Sequence, residues 1–366
     1  MTDAARAIEM LLPTATFQGS ERLRGGARAA VHRVHVQYET GRTDTVVLKQ
    51  HTAAGEGWVR EASALASLTV KAPAAVLLAE SSSPAAVVMS DLGRGASVAD
   101  WLLGDDADGA RESVVQWARA VARLHVSTLG LPDRFSAELV KRSGELPVAA
   151  DPLPAQLSDA AALLSRLATA TALPWADDAA EELRGIGSRL TRPERSVLSP
   201  TDACPDNNVS TADGVYLVDF EGASFWHAAW DVAYLTVPWP SCWCAWRLPE
   251  EVTYEALRCY RADLCEAMPY VDDEEFNRDV AAAAVGWTFL SASWLMPTAL
   301  TADPPPSDAR IVAPSRRAMI AHRLEGATDQ AEIAGLPRLA AVAQQWANLL
   351  QDRWPTASLA LAPAFR

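Results

Sequence analysis

Apolar and polar residues alternate along Ala29–Tyr38 (AAVHRVHVQY), and a β-branched run follows at Thr45–Gln50 (TVVLKQ). Between them Glu39-Thr40-Gly41-Arg42 has turn chemistry, so period-two alternation on both sides predicts a hairpin. Glu56–Leu68 (EGWVREASALASL) instead repeats apolar residues at helical spacing, and Ala74–Leu78 and Ala85–Met89 read as buried strands. The pattern breaks at Ser90–Ser97 (SDLGRGAS), which has two glycines and no apolar run and is read as a linker. Beyond it, helical periods dominate: Ser113–Ser127, Ala155–Thr169, Ala179–Leu190, Tyr254–Ala267, Phe276–Leu295, Arg316–Glu325 and Leu336–Arg353. Two short strands interrupt them, Ser196–Leu198 and Val215–Asp219, and Asp303–Asp308 (DPPPSD) is a surface break. The expectation is an α+β chain of two lobes: a small β-rich unit at 1–91 and a larger, mainly helical unit at 92–366.

Composition narrows the function classes. The chain has 366 residues, 49% apolar and 21% charged, which suits globular folding and two lobes. A net charge of −14 repels phosphate backbones and makes nucleic acid an unfavourable partner. A cationic small molecule fits that surface better, although solubility alone also accounts for the excess. The five cysteines are odd in number and lack CxxC spacing, so neither a disulfide framework nor a zinc site is expected. Cys242 and Cys244 are too close in sequence for the common zinc pair, and Cys204 reads as packing. A reducing compartment, the cytoplasm, follows. Met1–Arg6 carries both signs of charge and is no secretory signal. Val280–Thr301 lacks charges and is long enough to span a membrane. Its alanines, Thr288, Ser291, Ser293, Pro297 and Thr298 favour a buried core helix instead. Five of the thirteen tryptophans crowd Phe225–Trp246. Within that stretch the Trp239–Trp246 run (WPSCWCAW) lines a substrate pocket or, as the favoured reading, packs a core.

The chemistry concentrates in Leu198-Ser-Pro-Thr-Asp202-Ala-Cys-Pro-Asp206-Asn207-Asn208-Val209 and in Leu217-Val-Asp219-Phe-Glu221. A loop acid, a carboxamide five residues on and an acid after a short apolar strand are the groups that phosphoryl transfer uses. A carboxylate orients and deprotonates a hydroxyl, while carboxamide and carboxylate oxygens hold magnesium. Asp and Asn are also ordinary turn residues, and taken alone the stretch is explained as well by capping. The order of other elements shifts that balance. Lys49 ends an apolar strand and Glu61 follows twelve residues later on a helix, a pairing that serves the phosphates of ATP.

With these residues in that order, the sequence resembles the aminoglycoside phosphotransferase and choline kinase-like enzymes, which share the bilobal protein-kinase-like fold. The resemblance runs over residues 22–235. It implies Asp202 as catalytic base, Asn207 and Asp219 as magnesium ligands, Lys49 on the phosphates and Glu61 as its anchor. It also implies that Met89, Ser90 and Asp91 lie at the lobe hinge, whose backbone meets the adenine. Asp231, in Trp230-Asp-Val-Ala, matches a structural aspartate that fixes backbone. The implied activity is ATP- and magnesium-dependent phosphorylation of a hydroxyl on a small, aminoglycoside-like or other amine-bearing molecule. The alternative is a catalytically silent nucleotide-binding protein acting through a partner.

Two departures stand out. The family's His-Gly before the catalytic aspartate is Pro200-Thr201 here. Arg24-Gly25-Gly26-Ala27-Arg28-Ala29 sits where a phosphate-covering loop belongs, but two adjacent glycines fit a plain hairpin turn equally well. Asn208 beside Asn207 leaves the ligand open by one residue, with spacing favouring Asn207. His125, in Arg123-Leu-His125, reads as a packed histidine rather than a catalytic one.

Overall fold

The computed structural model describes residues 3–23, 28–305 and 312–366. Helix α1 (Asp3–Leu11) precedes strands β1 (Ala15–Arg22), β2 (Ala29–Tyr38) and β3 (Thr43–His51). Helix α2 (Glu56–Ser67), β4 (Leu77–Ser82) and β5 (Ala85–Ser90) follow. The strands form one antiparallel sheet in the order β1-β2-β3-β5-β4. Its two faces differ because successive side chains point to opposite sides. Val34, Val36, Val46, Leu48, Ala86 and Val88 pack under Ala4, Ala7 and Ile8 of α1. Val87 and Met89 face the other way, onto Trp58, Val59, Ala62 and Leu65 of α2, in a core continuous with that of the helical part. Lys49, two residues beyond Val47, falls on this second face and so looks into the space between lobes.

The chain then runs through α3 (Val98–Leu102), α4 (Ala107–Thr128), α5 (Pro132–Ser143), α6 (Leu153–Thr171) and α7 (Asp177–Arg189). Short strands follow: β6 (Ser196–Ser199), β7 (Asn208–Thr211), β8 (Gly214–Leu217) and β9 (Ser224–His227). They make two antiparallel ribbons, β6 with β9 and β7 with β8. The rest is α8 (Ala229–Val232), α9 (Glu250–Leu264), α10 (Glu274–Ala299), α11 (Arg316–Ala334) and α12 (Pro337–Arg353). Local signals set several boundaries. Ser97 and Asp100 close a reciprocal capping box on α3, and Gly335 ends α11 at φ +72°. From Val280 onward helix α10 carries no charge on any face, and such a segment belongs in an interior. It is long and apolar enough to cross a membrane, yet 83% of its most apolar window is buried within the fold, as a core helix requires. Gly286 permits that burial: a Cβ there would lie 2.4 Å from the Trp230 ring.

The small antiparallel sheet followed by a larger helical lobe is the α+β architecture the sequence pattern predicts, and it agrees with the kinase-like fold that the resemblance implies. Some details differ. A second N-terminal helix, α1, is present; it is only nine residues long and buries little beyond alanines, so its period is faint. The strand expected at Ala74–Leu78 is β4 at Leu77–Ser82, an edge strand whose polar LLAESS sequence is mostly half-exposed. Ala74 instead makes an isolated parallel bridge to Leu217 of the other lobe. Helix α5 escaped the periodicity because only Phe135 and Leu139 are buried. Residues 24–27, the core of the expected phosphate-covering loop, lie outside the described residues.

Candidate active site

Lys49 is buried with its ammonium among three carboxylates. Nζ lies 2.8 Å from Glu61 on α2, 2.5 Å from Asp219 and 3.4 Å from Glu221. Burial works against its charge, but Glu61 and Asp219 outweigh that and hold the lysine well above its ordinary value. Burial likewise raises Glu61, yet His51, 3.0 Å away, and Lys49 bring its carboxyl below the usual range. Glu221 also receives Arg28 at 2.6 Å. Arg60 of α2 spans the lobes, donating to the Ala223 and Ala149 carbonyl oxygens at 2.9 and 3.0 Å. Glu221 and Arg60 were not singled out from sequence. The Asp219-Phe-Glu221 spacing was the available signal for Glu221, whereas Arg60 resembles any helix arginine.

Asp202 sits in the loop after β6. Its Oδ1 accepts hydrogen bonds from Ser241 Oγ at 2.6 Å and Cys204 Sγ at 2.8 Å. Burial raises its pKa; the Cys204 and Ser241 hydrogen bonds oppose this, and nearby Asp206 and Asp219 add to it. The preceding Thr201 has φ +61°, where a β-branched residue is strained. A buried relay holds it there. Thr201 N donates to Ser199 Oγ at 2.8 Å, and Ser199 donates to Asp231 Oδ1 at 2.6 Å. Asp231 Oδ2 meets His125 Nε2 at 2.9 Å, and His125 Nδ1 meets Tyr260 Oη at 2.8 Å. Asp231 therefore reaches the loop backbone through Ser199 rather than directly. His125 is a packed histidine within that relay. Tyr234 Oη closes the other side, donating to the Thr201 carbonyl oxygen at 2.8 Å.

The two asparagines separate clearly. Asn208 is buried and spent on structure: its Oδ1 accepts from Val98 N, and its Nδ2 donates to the Cys204 and Pro205 carbonyl oxygens. Asn207 Nδ2 donates to Asp202, at 2.8 Å to the main chain and 3.2 Å to Oδ2. That leaves the Asn207 carboxamide oxygen as its end for a cation. Strand β8 stops at Leu217, and Asp219 lies beyond it at φ +66°, bonded to Lys49. The donor set suits magnesium. Its oxygens are hard, and one ammonium and one guanidinium face Glu61, Asp219 and Glu221, leaving negative charge for a divalent ion to offset.

Met89 and Ser90 end β5, and Asp91 opens the linker. The Asp91 carboxylate is taken by Arg33 of β2, at 2.6 and 3.0 Å, and Arg33 also donates to the Gly93 carbonyl oxygen. The Asp91 carboxylate is thereby spent within the protein. A cleft of about 760 Å³ runs past Asp202, Asp219 and Glu221. Its far wall is Trp226, Trp287, Trp294, Leu163 and Leu290, with Gln156 and Asp159 beside them. Trp226 is buried, and its Nε1 has no hydrogen-bond partner. Much of the tryptophan-rich run is core, as Trp239 is fully buried; Trp243 donates to Asp206 at 2.6 Å. Ser241, Trp226 and Trp287 were not identified as site residues, because nothing local marks one serine or tryptophan among so many.

Fold and site together define a bilobal kinase-like protein with a lysine–acid cluster facing a loop aspartate across one cleft. The chain belongs to the phosphotransferase enzyme family, whose model matches residues 21–258. Among solved structures it is similar to a choline/ethanolamine kinase family protein from Mesorhizobium loti. The two share 16% identity with a TM-score of 0.54, covering 93% of this chain and 98% of that one. It is also similar to an ethanolamine kinase from Plasmodium vivax, at 12% identity and TM-score 0.51, covering 85% and 82%. At these identities the likeness shows the fold. No curated protein matches the chain significantly.

Proposed function

We propose that the protein transfers the γ-phosphoryl group of ATP to a hydroxyl of a small amine-bearing molecule, an aminoglycoside-like compound among the candidates. The observation that carries this reading is the convergence of Glu61 and Asp219 on the Lys49 ammonium, beside a cleft that Asp219 and Asp202 both line. In this reading the 1–91 lobe holds the nucleotide and the 92–366 lobe the acceptor. Lys49 pairs with phosphate oxygens, Glu61 keeps it in place, and the Met89–Asp91 backbone meets the adenine. Asn207 and Asp219 would hold magnesium, which would supply charge neutralisation for the transferring phosphoryl group. Asp202 takes the hydroxyl proton as the new O–P bond forms and the bond to ADP breaks; the Ser241 and Cys204 hydrogen bonds orient its carboxylate.

The acceptor chemistry follows from the cleft wall. Trp226, Trp287 and Trp294 offer flat apolar faces, and Asp159 a nearby charge, which together suit a cation carried on an apolar frame. Five free cysteines agree with a reducing compartment such as the cytoplasm. The test is incubation with magnesium, ATP and a panel of amine-bearing alcohols, with mass spectrometry for the phosphate ester. Product is expected from the parent and none from Asp202→Ala. Asp219→Ala should lose magnesium-ATP binding by calorimetry while its far-UV circular dichroism stays unchanged. Tight nucleotide binding with no product on any alcohol would instead favour the silent alternative.

A further inference from the structure

The sequence spacing of Cys242 and Cys244 argues against a zinc pair, but the tertiary fold changes the donor count. Cys204, from the loop that carries Asp202, approaches Cys242 of the tryptophan-rich segment, Cys242 in turn touches Cys244, and all three are buried. Cys242 Sγ lies 3.0 Å from Cys244 Sγ and 3.6 Å from Asp206 Oδ1. The sulfurs of Cys204 and Cys242 and a carboxylate oxygen of Asp206 all fall within 4.8 Å of one another. Zinc–sulfur bonds of about 2.3 Å and zinc–oxygen bonds of about 2.0–2.2 Å in a tetrahedron put sulfurs about 3.8 Å apart, and sulfur about 3.5 Å from oxygen. The Cys242–Asp206 separation already matches, the Cys242 and Cys244 sulfurs must part by about 1 Å, and Cys244, which stands outside the 4.8 Å group, must swing in to complete a four-donor set. Asp206 is exposed, so an ion has a route in.

A second observation points the same way. Arg323 is 4% exposed, and its guanidinium donates only through Nη2, to the Pro238 and Trp239 carbonyl oxygens and weakly to Met319. Its Nε and Nη1 have no partner. Cys242, Cys204 and Tyr234 are the acidic groups that act on it. A buried cation with donors to spare has the sign of the counter-charge that a cluster of metal thiolates requires.

We propose that Cys204, Cys242, Cys244 and Asp206 form a binding site for a soft divalent cation, zinc in an S₃O tetrahedral set, directly behind Asp202. No electron changes hands: each thiol gives its proton to solvent as its sulfur binds, so up to three protons leave per ion. Cys204 Sγ donates to Asp202 Oδ1 at 2.8 Å, and as a metal thiolate it would have no proton to donate, so occupancy is linked to the aspartate's hydrogen bonding.

The test uses the full chain, reduced with a phosphine, stripped of metal and titrated with cobalt(II). One equivalent should bring a thiolate-to-cobalt charge-transfer band and the visible bands of tetrahedral cobalt, and zinc should abolish both. Asp206→Asn should weaken binding at least about tenfold, and the Cys242→Ser, Cys244→Ser double variant should lose the thiolate band. Because that double variant is at risk of misfolding, alkylation mapping of the parent gives an independent readout: zinc should protect Cys204, Cys242 and Cys244. Failure of the parent to show a thiolate band at saturating cobalt overturns the site. So does protection confined to Cys259 or Cys265, or binding with only the weak bands of octahedral oxygen coordination. Recovery of the phosphine-treated protein with Cys242 and Cys244 joined as a disulfide overturns it as well.

Discussion

Asp202 is held from two sides, and each contact sets part of its basicity. Burial lifts its pKa, while Cys204 and Ser241 hydrogen bonds to Oδ1 pull it back. The acidic limb of the kcat/KM–pH profile should therefore lie above the ordinary carboxylate range. Activity should fall as pH drops through that limb, because the protonated acid accepts no proton. Ser241→Ala removes a hydrogen bond that favours the charged form and should move the limb to higher pH. Asp202→Asn should lower kcat by about 10²–10⁴-fold while leaving nucleotide affinity close to that of the parent. A limb unmoved by Ser241→Ala would show that the titrating group is not Asp202.

At the scale of elements, the site depends on the lobe linker crossing the β7–β8 ribbon closely. Ser210 N donates to the Ala96 carbonyl oxygen at 3.0 Å, and a Cβ on Gly95 would lie 1.6 Å from the Ser210 carbonyl oxygen. Both sides of that contact are backbone, so no rotamer relieves it. Gly95→Ala should cost about 1–3 kcal/mol in urea unfolding and displace the linker from β7. Gly326 is the contrast: exposed within α11, with nothing near its Cβ position. Gly326→Ala should stabilise by about 0.5–1 kcal/mol, because alanine restricts the unfolded chain and favours helix. Equal effects at the two glycines would contradict the close approach.

Across the whole molecule, Lys49 ties the sheet lobe to Asp219 and Glu221 of the helical lobe. Lys49→Met leaves the buried Glu61 without its ammonium, and breaking such a pair costs about 3–5 kcal/mol. Its Tm should fall, and magnesium-ATP should no longer raise it. The parent should gain about 2.7 kcal/mol from nucleotide at a hundred times Kd. Stability should also depend on pH through His227. Burial and the arginines Arg195, Arg192 and Arg189 lower it from 6.5 to about 3, against the pull of Glu275 and Asp279. The unfolded chain then binds a proton that the folded one refuses. This contribution is complete above pH 6.5 and is lost as pH falls towards 3, at a slope approaching about 1.4 kcal/mol per unit. By about pH 5 the parent should have lost about 2 kcal/mol more than His227→Gln, read from urea unfolding of both proteins. Parallel losses in the two would place the titration elsewhere.

The sequence by itself determined the order of a small sheet before a larger helical part, and it put forward Lys49, Glu61, Asp202, Asn207 and Asp219 as candidates. Each of these is written in local periodicity or in short-range spacing, which survive without knowing what packs on what. Tertiary structure decided the rest. It spent both ends of Asn208 on neighbouring backbone, which the spacing of two adjacent asparagines does not show. It brought Ser241 to Asp202 across 39 positions, and Asp231 to His125 across 106. It held Thr201 at a backbone angle that glycine would take without strain. It also gathered three cysteines whose spacing in the chain says nothing of their meeting. A hydrogen bond needs its two groups within about 3 Å, and for groups so far apart in sequence only the packing of helices and ribbons provides that.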